Sequence, residues 1–352
     1  MPGELVLITG VNGYIGAVVA KHFLDHGYSV RGTVRKVASA KELMDSPLKE
    51  FVDVGKFGVV EVPDITGDGA FDEAVKGVTA ILHLASPVSM DFKDPVPIIY
   101  AAINGTKTIL NSALACAGSQ LKTVIVMSSI AAVKSSHPPP YSFTEEDWND
   151  FAEDMCREQK TETPGPAIYI ASKTAGERVF WEFQSERQPP FMMASVNPVF
   201  VIGPPLVAPK TAYAVGGTIQ SIYQVFAGAS NILPSSTVPQ AVDVRDVAQL
   251  LRYAVEHPHE TNGERYIASS SINHPQAVAD ILREEWKSDV KALERIAVGK
   301  PGEGYSMDYQ SVDEQGGYYI DSSKARKLLE GGQWIRYKQS VIDTAMMFIG
   351  LV

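Results

Sequence analysis

The eight residues Thr9-Gly10-Val11-Asn12-Gly13-Tyr14-Ile15-Gly16 constrain this chain more than any other stretch. They follow an apolar run, Leu5-Val6-Leu7-Ile8, and lead straight into a helical pattern over 14–26. The spacing is GxxGxxG, a variant of the dinucleotide-binding fingerprint. Gly10 permits a tight turn, Gly13 lets the backbone approach a pyrophosphate, and Gly16 lets helix and strand pack closely. Free N–H groups and the positive end of the helix dipole then face the anion. A strand so early also predicts that the chain carries no cleavable leader.

Short apolar runs alternate with longer helical patterns through the first two hundred residues. The candidate strands are 4–10, 29–35, 58–63, 80–86, 122–129 and 191–199; the candidate helices are 14–26, 40–50, 70–76, 95–117 and 168–186. Near-continuous apolar strands separated by helices predict an α/β fold, a doubly wound parallel sheet of Rossmann type. Residues 1–199 form the nucleotide-binding domain in this reading. After Pro198 the character changes, with Pro204, Pro205, Pro209, Pro234 and Pro239 punctuating shorter elements. Helices are expected near 212–228, 243–257, 275–287 and 336–349, so 200–352 reads as a smaller, mainly substrate-binding region whose boundaries interleave with the first.

Composition excludes several function classes. Among 352 residues, 41 are acidic and 31 basic, a formal net charge of -10, and no basic stripe offers a nucleic-acid interface. Cys116 and Cys156 are too few for a disulfide framework and lack CxxC spacing. Seven histidines form no HExxH, and His257-Pro258-His259-Glu260 reads as a solvated turn, so no metal is expected. No run approaches the roughly 18 apolar residues of a membrane helix. A cytoplasmic protein that binds neither nucleic acid nor membrane is the expectation.

The end of the second strand selects the nucleotide. An acidic side chain there holds the ribose hydroxyls of NAD, whereas an arginine accommodates the 2′-phosphate of NADP. Here the strand ends Val34-Arg35-Lys36, with Lys41 further on and no Asp or Glu at the strand end. Arg35 can fork onto a phosphate and stack on adenine. NADP(H) is the predicted cofactor.

Tyr169-Ile170-Ala171-Ser172-Lys173 is the one YxxxK in the chain, on a candidate helix after the strand that ends Met127-Ser128-Ser129. The i, i+4 spacing puts Tyr169 and Lys173 on one helix face. Reducing a carbonyl needs a hydride, which a nicotinamide supplies, and a proton for the oxygen. A phenol of pKa ~10 shuttles that proton slowly near neutrality, and lowering it by about three units takes about 4 kcal/mol. One ammonium about 4 Å away supplies that order of energy at an effective dielectric of about 20. Lys173 is spaced to be that charge, and a Ser129 hydroxyl can orient the carbonyl oxygen.

TGVNGYIG, HLAS (83–86), VMSS (126–129), YIASK (169–173) and VNPV (196–199) fall in the order of the extended short-chain dehydrogenase/reductase family, which the chain resembles over almost its whole length. TEEDW (144–148), DVRDVA (243–248) and DSSKARKLL (321–329) resemble the dihydroflavonol reductase-like branch, and within it the fungal NADPH-dependent aldehyde, ketone and methylglyoxal reductases. Matched by position, the resemblance implies a catalytic triad of Ser129, Tyr169 and Lys173. Gly10, Gly13 and Gly16, with the intervening Asn12, Tyr14 and Ile15, would cradle the pyrophosphate. Arg35, helped by Lys36 or Lys41, would hold the 2′-phosphate, and Asp64 and Ile65 would flank the adenine. Ala85, Ser86 and Pro87 would line the nicotinamide side, and Pro198 and Val199 would contact the carboxamide. Asn104 resembles a helix asparagine that supports a proton-relay water, with a packing or capping role equally open. The substrate implied is a small-molecule carbonyl, reduced by a monomer or by a homodimer paired through helices 95–117 and 168–186.

Two other functions share these motifs. Nucleotide-sugar epimerases and dehydratases keep the glycine turn and the YxxxK but usually carry an acid where Arg35 stands. Redox-sensing NADP(H) binders commonly lose the Tyr or the Lys. Of the remaining residues, His83 reads as a core histidine and Cys116 as buried packing. Asp243, Arg245 and Asp246 read as a structural ion-pair network. Tyr213, Tyr223 and Phe226 are open between pocket lining and core.

Overall fold

The apolar run Leu5–Thr9 forms β1, buried from Val6 onward, and pairs in parallel with β2 (Ser29–Val34) on one side and β4 (Ala80–His83) on the other. In this computed structural model, which describes residues 4–228, 240–309 and 317–352, the main sheet has seven strands. Its order is β10-β7-β5-β4-β1-β2-β3, where β3 is Phe57–Glu61, β5 Thr123–Met127, β7 Met192–Pro198 and β10 Glu264–Ala268. Every pairing in it is parallel. The chain runs outward from β1 to β3, then returns to β4 on the other side of β1. That reversal opens a crevice past the carboxyl ends of β1 and β4, where ligands bind in such sheets.

Helices cover both faces. α1 (Tyr14–Asp25) packs against α8 (Val244–Glu256), while α4 (Pro95–Cys116) packs against α6 (Gly165–Arg187). α5 (Phe151–Gln159) lies on α6. A second core joins α7 (Gln220–Phe226), α10 (Pro275–Glu285) and α13 (Tyr337–Met346) around a three-stranded sheet, β11 (Ser271–Ile272), β9 (Gln240–Asp243) and β8 (Phe200–Ile202). A two-stranded sheet pairs β6 (Tyr141–Phe143) with β12 (Tyr318–Ile320).

The sequence misplaces three elements. The 40–50 helix is interrupted: a 3-10 turn leads into α2 (Lys41–Asp45), and α3 (Lys49–Asp53) restarts beyond Pro47. Proline removes an N–H and pushes Ser46 out of the helical region. The stretch 70–76 is a run of turns. Phe71, Ala74 and Val75 are buried as a helix face would bury them, but Gly69 and Gly77, both at positive φ, bracket a segment too short to hold a helix. The 212–228 helix is reduced to two 3-10 turns and α7, with Gly217 at φ 64 between Gly216 and the rest. Beyond residue 200, β10 returns to the edge of the main sheet and α8 packs on α1, so the later chain completes the first layer. Pro234 and Pro239 lie outside the described residues.

Candidate active site

The glycine turn has the close contacts its spacing implies. Gly10 adopts φ 69, and a Cβ there would lie 3.3 Å from the Ala85 backbone across the crevice. A Cβ on Gly16 would come within 2.5 Å of the Gly10 carbonyl oxygen. The Gly10 and Val11 amides donate to Thr33 O at 3.0 and 3.2 Å, binding the turn to β2. Gly13 precedes helix α1 in an extended conformation, offering no side-chain cap, and no acid lies in the helix's first turn. Its leading N–H groups are therefore oriented for an anion. The Tyr14 hydroxyl donates to Gly203 O at 2.8 Å and ties the turn to the second core.

Arg35 and Lys36 are exposed just past β2. Arg35 has no ion-pair partner among the described residues, whereas Lys41 is bound to Asp45 at 2.6 Å. Asn12 Nδ2 donates to Ser39 Oγ, so this segment is stitched to the glycine turn at 3.1 Å. Glu61, at the end of β3, accepts from Val37 N at 2.9 Å, a carboxylate the reading of β2 alone missed. Together the bare helix end, the Cβ-intolerant turn and the unpaired guanidinium fit a dinucleotide with an extra phosphate.

A cleft lies beside the carboxyl ends of β4 and β5, lined by His83, Ala85, Ser86, Ser128, Lys173 and Glu177 among others. Thr9 Oγ1 accepts from Leu84 N (3.0 Å) and Ala85 N (2.9 Å) and lies 3.1 Å from His83 Nδ1. With both lone pairs taken, its proton goes to Nδ1, so His83 is neutral with hydrogen on Nε2. Burial, with a smaller push from the Lys173 charge, lowers the His83 pKa to about 4. That stability is complete above about pH 6.5 and is lost as pH falls through 4. It amounts to about 3 kcal/mol at most, since each pKa unit is about 1.36. Denaturant midpoints measured from pH 6.5 to 4 should fall in the wild type and fall less in His83→Asn, which keeps an acceptor there.

Tyr169 and Lys173 sit on the first turns of α6, Tyr169 half-buried and Lys173 buried, with Lys173 Nζ 5.9 Å from the Tyr169 ring centroid. Loop residue Met90 presses on the helix start, where a Cβ on Gly165 would meet its carbonyl oxygen. Ser129 is buried beyond β5 and caps a 3-10 turn, Oγ accepting from Ala131 N at 3.1 Å. That bond orients the oxygen and leaves its O–H to donate.

The other candidates are placed as follows. Ile65 reaches the same cleft against Gly105 of α4. Asp64 is exposed, its carboxylate accepting from Thr66 N (2.8 Å) and Thr66 Oγ1 (2.7 Å), bonds that hold its pKa down. Pro87 is half-buried after Ser86, while Pro198 and Val199 are buried at the end of β7. Asn104 donates to Tyr100 O within α4 at 2.9 Å, and its neighbours Ala101, Ala102, Gly105 and Thr106 line the cleft.

Asp243, Arg245 and Asp343 form an ion-pair network between α8 and α13, with Arg245–Asp243 at 2.8 Å and Arg245–Asp343 at 2.7 Å. Phe226 is core, Tyr223 packs on Phe348, and Tyr213 is 99% exposed. Cys116 is half-buried rather than buried. The His257–Glu260 stretch contributes a short helix, α9 (Pro258–Thr261), and no group of three or more metal-ligating side chains occurs among the described residues. No helix among them is long and apolar enough to cross a membrane. Sequence reading gave no role to Glu177, which lines the cleft, or to its buried partners Asn197 and Arg265; their signal, polar residues inside buried elements, becomes visible only once burial is known.

Residues 6–268 match the model of the NAD dependent epimerase/dehydratase family. The chain is 30% identical to the NADPH-dependent methylglyoxal reductase of Saccharomyces cerevisiae over 98% of each chain. It is 33% identical to a cinnamoyl-CoA reductase of Medicago truncatula over 89% of each. The crystal structure of the yeast methylglyoxal/isovaleraldehyde reductase complexed with NADPH superposes with a TM-score of 0.80 at 29% identity, covering 98% of both chains. With the sheet order, the glycine turn and the YxxxK helix, these matches place the chain in the NAD dependent epimerase/dehydratase family of extended short-chain dehydrogenases/reductases.

Proposed function

We propose that this protein is an NADPH-dependent carbonyl reductase, converting an aldehyde or ketone to the alcohol. The observation that carries the reading is Tyr169 and Lys173 on one face of α6, with a basic, acid-free end to β2. Bound NADPH supplies the hydride. The chain's own groups handle the oxygen: Ser129 donates a hydrogen bond to it, Tyr169 delivers the proton, and the Lys173 ammonium favours the phenolate left behind. The turn at 10–16 holds the pyrophosphate and Arg35 the 2′-phosphate, with Lys36 the nearer helper because Lys41 is engaged by Asp45. Ala85, Ser86, Pro87, Pro198 and Val199 surround the nicotinamide, and Asp64 and Ile65 the adenosine. Residues 1–199 then mainly hold the nucleotide and 200–352 mainly the substrate. The relatives named as NADPH-dependent reductases support this assignment. We place the enzyme in the cytosol, as a monomer or as a homodimer built on α4 and α6.

The test is a panel of aldehydes, diketones, β-ketoesters and flavanonols followed at NADPH absorbance, with NADH alongside. Stoichiometric NADPH consumption is expected; tightly retained, regenerated cofactor would instead indicate an epimerase. Arg35→Ala should weaken NADPH binding about ten- to a hundredfold, in line with about 1.5–3 kcal/mol for a charged hydrogen bond, and leave NADH binding unchanged. A wild-type preference for NADH would overturn the role of Arg35.

A further inference from the structure

Glu177 lies four residues after Lys173 on α6 and has no exposed side-chain area. Four donors converge on it. Oε1 accepts from Arg265 Nε at 2.7 Å and Trp181 Nε1 at 3.3 Å, with the Ser195 hydroxyl, 3.1 Å away, shared with Asn197 Oδ1 at 2.9 Å. Oε2 accepts from Ser128 Oγ at 2.5 Å and Asn197 Nδ2 at 2.7 Å. A carboxylate offers about four lone-pair sites, so both oxygens are saturated. The donors come from the end of β5, from β7, from β10 and from α6 itself, the elements that meet behind the cleft.

Two of these links lead to the catalytic serine. Ser128 precedes it in the chain, and Asn197 Nδ2 also donates to Ser129 O at 3.2 Å. On the far side, Arg265 Nη1 donates to Glu145 O and Asp147 O, both at 2.7 Å, and its guanidinium lies 3.9 Å over the Trp148 ring. A buried ion pair gains little stability over apolar packing of equal volume, so stability alone is a poor account of this convergence. One rigid acceptor on the Tyr169–Lys173 helix that grips the serine strand end does explain it.

We propose that Glu177 is a positioning residue that fixes Ser129 relative to Tyr169 and Lys173, an inference that rests on the carbonyl-reductase reading. In this role it acts through Ser128 and Asn197, the partners of its Oε2, rather than on the reacting atoms. Glutamine at this position keeps the shape but faces donors with an NH2 group, which loosens the serine while leaving the glycine turn and Arg35 intact.

The test is a double-mutant cycle of Glu177→Gln with Ser129→Ala, reading kcat and, separately, NADPH affinity by fluorescence. In the wild-type background, Glu177→Gln should lower kcat about tenfold, with NADPH affinity within about twofold. In the Ser129→Ala background it should cost less than about twofold more, because the group being positioned is already gone. A tenfold loss in both backgrounds, or none in either, overturns the inference while leaving the carbonyl-reductase reading in place. An Ser129→Ala enzyme with full activity overturns the serine's role and this inference together. Should Glu177→Gln fail to fold, Ser128→Ala takes its place with the same criterion and an expected loss of about threefold.

Discussion

Tyr169→Phe should reduce turnover about a thousandfold while NADPH affinity stays within about twofold. In the proposed mechanism the Tyr169 phenol gives its proton to the carbonyl oxygen, while Lys173 on the same face of α6 acts through its charge. Positioned proton transfer contributes about a hundred- to ten-thousandfold, so losing it dominates the rate. The ring itself packs unchanged in the phenylalanine variant, and the Lys173 ammonium 5.9 Å from its centroid stays buried beside it. Nothing in the glycine turn or near Arg35 is altered, which is why binding and turnover should separate. Single-turnover rates with saturating NADPH, together with a fluorescence titration of the cofactor, measure the two quantities independently. Wild-type turnover in the variant would remove Tyr169 from the chemistry; a parallel collapse in NADPH affinity would make it a binding residue.

The features legible in the sequence are those whose signal is local. The turn at 10–16, the YxxxK and the basic end of β2 are contiguous, and each carries its physical reason in a few residues. The sheet of β1, β2, β3, β4, β5 and β7 is legible for the same cause: buried parallel strands read as near-continuous apolar runs. β10 is not, because Glu264-Arg265-Tyr266-Ile267-Ala268 begins with two charged residues, and those charges are satisfied by distant partners, Lys324 on Glu264 and Glu177 on Arg265. The same holds for Asn197 and Glu177, whose partners lie up to 88 residues away. The 70–76 segment failed in the opposite sense. Its apolar pattern correctly marked burial, but the glycines at 69 and 77 decided the backbone. Tyr213, Tyr223 and Phe226 share a helical spacing, yet Gly216-Gly217 cuts Tyr213 off from α7, which carries Tyr223 and the fully buried Phe226.

Gly16→Ala should weaken NADPH binding about a hundredfold and lower stability by about 1–3 kcal/mol, the usual cost of forcing an extra methyl into a packed site. The added Cβ would sit 2.5 Å from the Gly10 carbonyl oxygen and 3.1 Å from Val11 Cα, both backbone, so no side chain can rotate away. Either α1 tilts off the sheet or the turn rises. Both movements displace the N–H groups at the start of α1, where the proposed site would hold the pyrophosphate, and about 2.7 kcal/mol of lost contacts corresponds to a hundredfold. Gly58→Ala is the control: it lies inside β3, its φ is ordinary, and nothing is within 4 Å of the added carbon. That variant should bind NADPH like the wild type and unfold at the same denaturant concentration or slightly above. If both alanine variants behave alike, the tight contact at Gly16 is not what shapes the nucleotide site. If only Gly16→Ala loses affinity, the third glycine acts by letting helix and strand approach, so that α1 begins where the phosphate lies.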